Sequence, residues 1–341
     1  MVKKITRRER VKLAVAHKET DYVPCAFDMT RIIQNQLCSH YRVEPADLND
    51  LINEHMQYIG PGGPGETLPN GDYRDEFGTV WRWAEWMTQT TGDAGALITP
   101  GLGTPSLTGY SFPKPGKDRF KHVDPDDLKQ SDRYVVMGLT ALFDTCWRIR
   151  GFENFLCDMA DDENFVNAIM DKATEYLVGI VEQTPDGVDA IRFLEDWGLQ
   201  KGLMMGVKSW RKFLKPRLKI IYGAAIKKGI TVMLHSCGDI HELFPDLIEI
   251  GMQLVHPMQP EVMDLAWVKK EYGKDLAFYG GMGCQSTLVY GSVADTIAEA
   301  RHRIKTMAKG GGYILGPAGA ISVDAKIENV IALVEFNQTG A

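Results

Sequence analysis

The chain has 341 residues, 44% of them hydrophobic, with a formal net charge of −7. That length can bury a large core, and α/β barrels above ~250 residues are commonly one unit, so a single domain over 1–341 is expected. The acidic balance argues against nucleic acid, and the one basic stretch, Lys3, Lys4, Arg7, Arg8, Arg10 and Lys12, reads as the solvated face of a first helix. No apolar run approaches the ~20 residues of a membrane span, and no signal-peptide core follows Met1. A soluble, cytoplasmic protein without a membrane partner is the expectation.

In chain order, residues 6–17 predict a helix and 22–27 a first strand. Residues 61–75 are rich in Gly and Pro, and 92–116 form a long irregular stretch. Long loops in a compact domain are more often functional than accidental. Residues 134–183 predict helix throughout, with Phe165, Ile169, Tyr176, Leu177 and Ile180 on one face.

Five short apolar runs follow, at 190–194, 231–234, 253–256, 276–279 and 312–315, each leading into a turn and a helical pattern. Trp210, Phe213, Leu214, Ile221 and Tyr222 mark one helix, kinked at Pro216 and stopped by Gly229. The helix through Ile240, Leu243 and Leu247 ends at Gly251. Ser292 caps another that ends at Gly310, and a last helix carries Ile327, Val330, Ile331 and Val334. Repeated strand and helix, with no Gly-x-Gly-x-x-Gly fingerprint, predicts parallel β/α units. A doubly wound open sheet fits that pattern almost as well as a barrel, and periodicity does not choose between them.

Groups able to do chemistry gather where these runs end. Glu195 and Asp196 follow the first, His235 and Cys237 end the second, His256 ends the third, and Cys284 follows the fourth. Parallel α/β folds place their active sites at that end of the strands. Of the six cysteines, Cys25, Cys38, Cys146 and Cys157 read as reduced residues with no Cys-x-x-Cys pairing, and Cys237 and Cys284 fall at strand ends. His235 and Cys237 are two apart, so in extended chain their side chains point the same way. An imidazole beside a thiolate suits zinc, and a catalytic zinc takes about three protein ligands and leaves one place open. The alternative is a satisfied buried histidine with a small core cysteine. A thiol nucleophile with its base is a weaker reading, since residues so close on one strand seldom have that geometry. Trp81, Trp83 and Trp86 either pack a β-hairpin or line an apolar pocket at the mouth of the fold.

Several segments together resemble the uroporphyrinogen decarboxylase superfamily. These are Thr6-Arg-Arg-Glu-Arg-Val, Asp21-Tyr-Val-Pro, Asp75-Glu-Phe-Gly-Thr-Val-Trp, Glu195-Asp-Trp-Gly, Leu234-His-Ser-Cys-Gly-Asp, Pro257-Met-Gln-Pro, Tyr279-Gly-Gly-Met and Tyr313-Ile-Leu-Gly-Pro. The resemblance spans nearly the whole chain and implies one (β/α)8 TIM barrel with an extended, irregular N-terminal part. Decarboxylases of the superfamily carry paired arginines near the first strand; here Asp28 and Arg31 are the only echo.

The His-Ser-Cys-Gly motif instead resembles the corrinoid-dependent methyltransferases. That branch implies a zinc site working with a corrinoid (cobamide) held by a partner protein. Its thiol-methylating members carry a further cysteine in the last strand turn, where this chain has Pro317-Ala-Gly-Ala. The expectation is therefore zinc on His235, Cys237 and Cys284, and methyl transfer from a small O-methyl donor, such as a methoxylated aromatic, to the corrinoid. Glu195, Asp196 and His256 are the candidate catalytic or orienting groups, and Asp28, Trp81, Trp83, Trp86 and Trp197 the candidate pocket. Methyl transfer from a corrinoid to a thiol, a decarboxylase of a porphyrin-like substrate, and a non-catalytic accessory protein remain the alternatives.

Overall fold

A computed structural model describes residues 5–83 and 95–339. Seven parallel strands form its centre: β1 (Met56–Ile59), β2 (Tyr134–Thr140), β3 (Ala190–Leu194), β4 (Thr231–His235), β5 (Leu254–Met258), β6 (Ala277–Met282) and β7 (Tyr313–Pro317). They lie side by side in chain order, each parallel to the next. A doubly wound sheet reverses its strand order at a switch point. This order has none, which removes the open-sheet alternative.

The sheet also curls. Ala26 N–H donates to Leu315 O at 3.0 Å and Leu315 N–H to Pro24 O at 2.9 Å, while His55 N–H donates to Cys25 O at 3.2 Å. One short segment thus bonds to β7 on one side and to the approach to β1 on the other. Flat sheets cannot bring their two edges to a common segment. The expected strand at 22–27 is reduced to this, with isolated bridges Cys25–Leu315 and Met29–Ile321. Glu54 helps hold it, accepting the N–H groups of Phe27 at 2.7 Å and Met56 at 2.9 Å.

Helix Arg7–Val15, capped by Thr6 and Glu9 in a reciprocal box, presents Val11 and Ala14 to the apolar residues inside the curl, among them Met56, Tyr134, Met233 and Ile314. A larger apolar layer fills the space between sheet and helices. Helix ends follow the expected punctuation: Gly229, Gly251 and Gly310 all sit at positive φ (71°, 98° and 78°), and Ser292 caps with Asp295.

Two expectations are corrected. Residues 134–183 are not helical throughout: they open with β2 and then form helices Leu142–Arg150, Phe152–Asp161 and Glu163–Glu182. A strand buried on both faces is a plain apolar run, and periodicity does not distinguish that from buried helix. Pro216 does not kink a helix; it lies in the first turn of a new one, Lys215–Lys227, after Gly206–Phe213 has ended.

Between β1 and β2, the Gly- and Pro-rich region forms a four-stranded antiparallel sheet of Gly65–Thr67, Tyr73–Asp75, Val80–Arg82 and Ala96–Thr99. Among the described residues no helix is long and apolar enough to cross a membrane.

Candidate active site

The C-terminal end of β4 builds the site. Register sets His235 between Leu194 of β3 and His256 of β5. Two residues on, Cys237 turns its thiol toward the same ring, with Sγ 3.7 Å from His235 Nε2. Asp196, leaving β3, completes the group: its carboxylate accepts the Cys237 backbone N–H at 2.8 Å. One ligand atom from each of Asp196, His235 and Cys237 lies within 4.8 Å of the others, the one such cluster among the described residues. Nitrogen, sulfur and oxygen donors in that compass fit zinc.

The other face of His235 is fixed by His256. The two Nδ1 atoms are 2.8 Å apart, so one ring donates to the other. His256 is fully buried and stacks on Tyr279 with centroids 4.3 Å apart. Burial, and then the neighbouring His235 ring, push its pKa well below the usual histidine range, so His256 is neutral. Neutrality leaves two tautomer pairings open; in the one where His256 accepts at Nδ1, His235 carries Nδ1–H and turns its Nε2 lone pair to Cys237. That tautomer is the one a metal-binding imidazole needs. Burial also lifts the Cys237 thiol to about 12, with the Asp196 carboxylate adding to it. A cation among these groups would reverse that shift.

A cavity of about 530 Å³ opens over the ends of β1, β2 and β3, where Gly60, Thr140 and Leu194 line it; Asp196, two residues beyond Leu194, and the other two cluster residues lie outside its lining. Trp81, Trp83 and Tyr73 of the antiparallel sheet wall its other side. Trp81 is buried and donates its Nε1–H to Asp75 at 2.8 Å, while Trp83 sits half-exposed at the rim. Glu76 is held by Arg119 through both guanidinium nitrogens and accepts the Tyr176 hydroxyl at 2.8 Å.

Residues 130–339 match the uroporphyrinogen decarboxylase (URO-D) family. The chain belongs to that family. Its sequence is similar to a methylated-thiol–coenzyme M methyltransferase of Methanosarcina mazei, with 23% identity over 249 residues, covering 67% of this chain and 64% of that protein. The chain thus matches just under two thirds of that relative's length. A solved methyltransferase structure from Methanosarcina mazei superposes with a TM-score of 0.70 at 19% identity, covering 98% of this chain and 99% of the other. At that identity the likeness establishes a shared fold.

Other residues of this URO-D family chain fall away from the expected site. Glu195 turns from the cluster. Its buried carboxyl accepts the N–H groups of Phe143 (3.0 Å) and Asp144 (3.3 Å), at the start of helix Leu142–Arg150. Burial, then the Asp144 carboxylate, push its pKa well above the carboxylate range. Cys284 lies outside the cluster, its Sγ 3.6 Å from Gly319 O. Trp197 is fully buried against Trp210 with centroids 5.5 Å apart, so it belongs to the core and not to a pocket wall. Asp28 does stay near the cluster: it pairs with Arg192 at 2.8 Å within the curl of the sheet, and its charge contributes to raising the Cys237 thiol. Trp86 lies outside the described residues.

Sequence reasoning missed three residues. Asp144 accepts the Asp196 N–H at 3.3 Å and the Trp147 Nε1–H at 3.0 Å, and burial raises it to about 6. It lies in the stretch read as uninterrupted helix. Arg192 stands over the Tyr58 ring at 4.6 Å; a charge within Ala-Ile-Arg-Phe-Leu was its signal, since a buried strand does not carry one without a partner. Arg148, on the cavity wall, gave no signal.

Proposed function

We propose that this URO-D family chain is a zinc-dependent methyltransferase that moves a methyl group from a small O-methyl donor to the Co(I) corrinoid of a partner protein. The observation that carries the reading is the convergence of Asp196, His235 and Cys237 at the ends of two adjacent strands, with an aromatic cavity that reaches Leu194, two residues before Asp196. Those three residues would hold the metal, with Asp196 in the place first assigned to Cys284. A bound zinc ion supplies Lewis acidity toward the donor's oxygen, easing departure of the alkoxide or phenolate. The protein's own residues do the rest. His256 orients His235, Asp144 fixes the backbone of Asp196, and the aromatic wall receives the donor and keeps water from it. In this reading the segment 24–27 is the eighth stave of a complete (β/α)8 barrel.

The shell favours an ether oxygen over a thiol. A sulfur-rich shell lowers the positive charge on zinc, and one cysteine with a histidine and an aspartate leaves it the stronger Lewis acid. The decarboxylase alternative lacks cations to hold many carboxylates: Arg31 is exposed, and Arg192 is already paired with Asp28. A methylated thiol as donor is a second reading, favoured by the name of the Methanosarcina mazei relative.

One experiment separates these. The purified protein is assayed for zinc, then mixed with cob(I)alamin and either methoxyarenes or methyl thioethers, and separately with methylcob(III)alamin and thiols. About one zinc per chain and methylcobalamin formed from the methoxyarenes is the expected result. Methylation of thiols, or methylcobalamin formed from thioethers alone, overturns the O-methyl donor. Absence of zinc overturns the metal centre.

A further inference from the structure

The cavity over β1–β3 contains a guanidinium that makes no side-chain hydrogen bond among the described residues. Arg148 projects from helix Leu142–Arg150 onto the cavity wall, 5.5 Å from the centroid of Trp81 and 5.3 Å from that of Trp147. Its one ion pair among the described residues is loose, Nη2 to Asp144 Oδ2 at 3.8 Å, beyond hydrogen-bond distance. The Asp144 carboxylate is already engaged by Trp147 and by the Asp196 backbone. Nε of Arg148 is buried with no partner.

Nε of Arg119 likewise lacks a partner, and the difference lies in the other nitrogens of the neighbouring arginines. Arg119, on the same cavity, is held by Glu76 and by Gly62 O at 2.9 Å, and Arg150, two residues away, by Asp158 at 2.8 Å. Five N–H donors in a planar fork match the two oxygens of a carboxylate, and a buried donor seeks an acceptor.

The two carboxyl groups on the wall are engaged by partners of their own. Glu76 is matched by Arg119. Asp75 accepts from Phe77 N–H at 2.9 Å, Thr79 N–H at 3.0 Å and Trp81 Nε1–H at 2.8 Å, and burial raises its pKa. The cavity therefore presents aromatic surface, enough room for one substituted ring, and one under-used cation.

We infer that Arg148 is an anion-recognition residue and that the cavity takes an aromatic ring bearing a carboxylate. This rests on the proposed function only in treating the cavity as the donor site. The arene stacks against Trp81 and its carboxylate takes the free edge of the Arg148 guanidinium. For a methyl donor, the class is then the methoxybenzoates, and neutral methoxyarenes are poor ligands.

The test is equilibrium binding by calorimetry, with 4-methoxybenzoate, benzoate and methoxybenzene as probes, on the full chain and on Arg148→Gln and Arg148→Lys. Both carboxylates are expected to bind at least tenfold more tightly than methoxybenzene. Arg148→Gln should abolish that preference while methoxybenzene binds as before, which also reports an intact cavity; Arg148→Lys should retain part of it. Equal affinity for all three probes, or a preference that survives in Arg148→Gln, overturns the inference. Benzoate has no methyl group to give, so its binding is independent of methyl transfer. Methyl transfer from neutral methoxyarenes with no carboxylate preference refutes this inference and leaves the proposed function standing. Tight, Arg148-dependent benzoate binding with no methyl transfer from any arene does the opposite.

Discussion

The two walls of the site are made by different means. On the β3–β5 side, every group of the cluster leaves the end of a regular strand, and ladder register alone brings His235 beside His256 and near Asp196. On the β1–β2 side, the cavity is assembled from an inserted antiparallel sheet and helices far apart in sequence, joined by side-chain bonds such as Thr79 Oγ1–H to Arg148 O and the Tyr176 hydroxyl to Glu76. The first arrangement is rigid and suits a metal, whose ligands need closely set geometry. The second tolerates substitution and insertion, which suits the part of a site that selects a substrate.

If this contrast is right, damage to the first wall should be near total. Cys237→Ser and His235→Ala should each reduce zinc from about one per chain to a small fraction, read by metal analysis of the dialysed protein. Retention of full zinc in both variants would remove the cluster as a metal centre. Cys284→Ser, by contrast, should keep its zinc. One step out, His256→Asn should weaken zinc binding by about 10–100-fold, the usual cost of losing the group that orients a ligating histidine. A chelator competition measures this, and unchanged affinity would show that His256 does not set the His235 tautomer.

These residues also show how much of the site was legible. His235 and Cys237 were visible because a strand's period of two places them on one side, and strand ends are where parallel folds do chemistry. Their third partner was not. Asp196 and Glu195 are adjacent, and sequence does not say which of two neighbouring carboxylates faces the mouth and which turns back to hold a helix. Strands β3–β7 were legible as apolar runs closed by glycines, whereas β2 was hidden within a stretch that reads as helix. The cavity was the least visible part. Trp81 and Trp83 were seen, but Arg148 acquires meaning only when a helix and an inserted sheet meet in space.

Glu195 and Asp196 sharpen the comparison further. Glu195→Ala should cost about 1–3 kcal/mol of stability, because it strips acceptors from buried N–H groups at a helix start. Zinc content should be unchanged. Denaturant unfolding and metal analysis on the same preparation check both halves, and loss of zinc without loss of stability would return Glu195 to the metal site.

A pH-dependent effect is expected on the side where the ladder is thinnest. Between β7 and β1 the chain relies on the segment 24–27, and Glu54 ties that segment to β1 through the N–H groups of Phe27 and Met56. Its carboxyl is buried, and burial raises it to about 8, opposed by those two hydrogen bonds. In the unfolded chain a glutamate titrates near ~4.3, so between that pH and about 8 the folded state holds a proton that the unfolded state has lost. Stability therefore falls as pH rises through this window, since the folded state binds more protons there. Below it both states are protonated and the contribution is fully present. Glu54→Gln keeps the shape and an acceptor oxygen but cannot ionise, so its stability should decline less steeply from pH 5 to pH 8. A gap in melting temperature should open between the two proteins toward the alkaline end, because the linkage is worth up to ~1.4 kcal/mol per pH unit through the window. Parallel melting curves across the range would mean that Glu54 stays ionised in the fold and that its two backbone hydrogen bonds outweigh its burial. The segment 24–27 would then be held by a charged clamp, as firmly as the strands on the other side of the site.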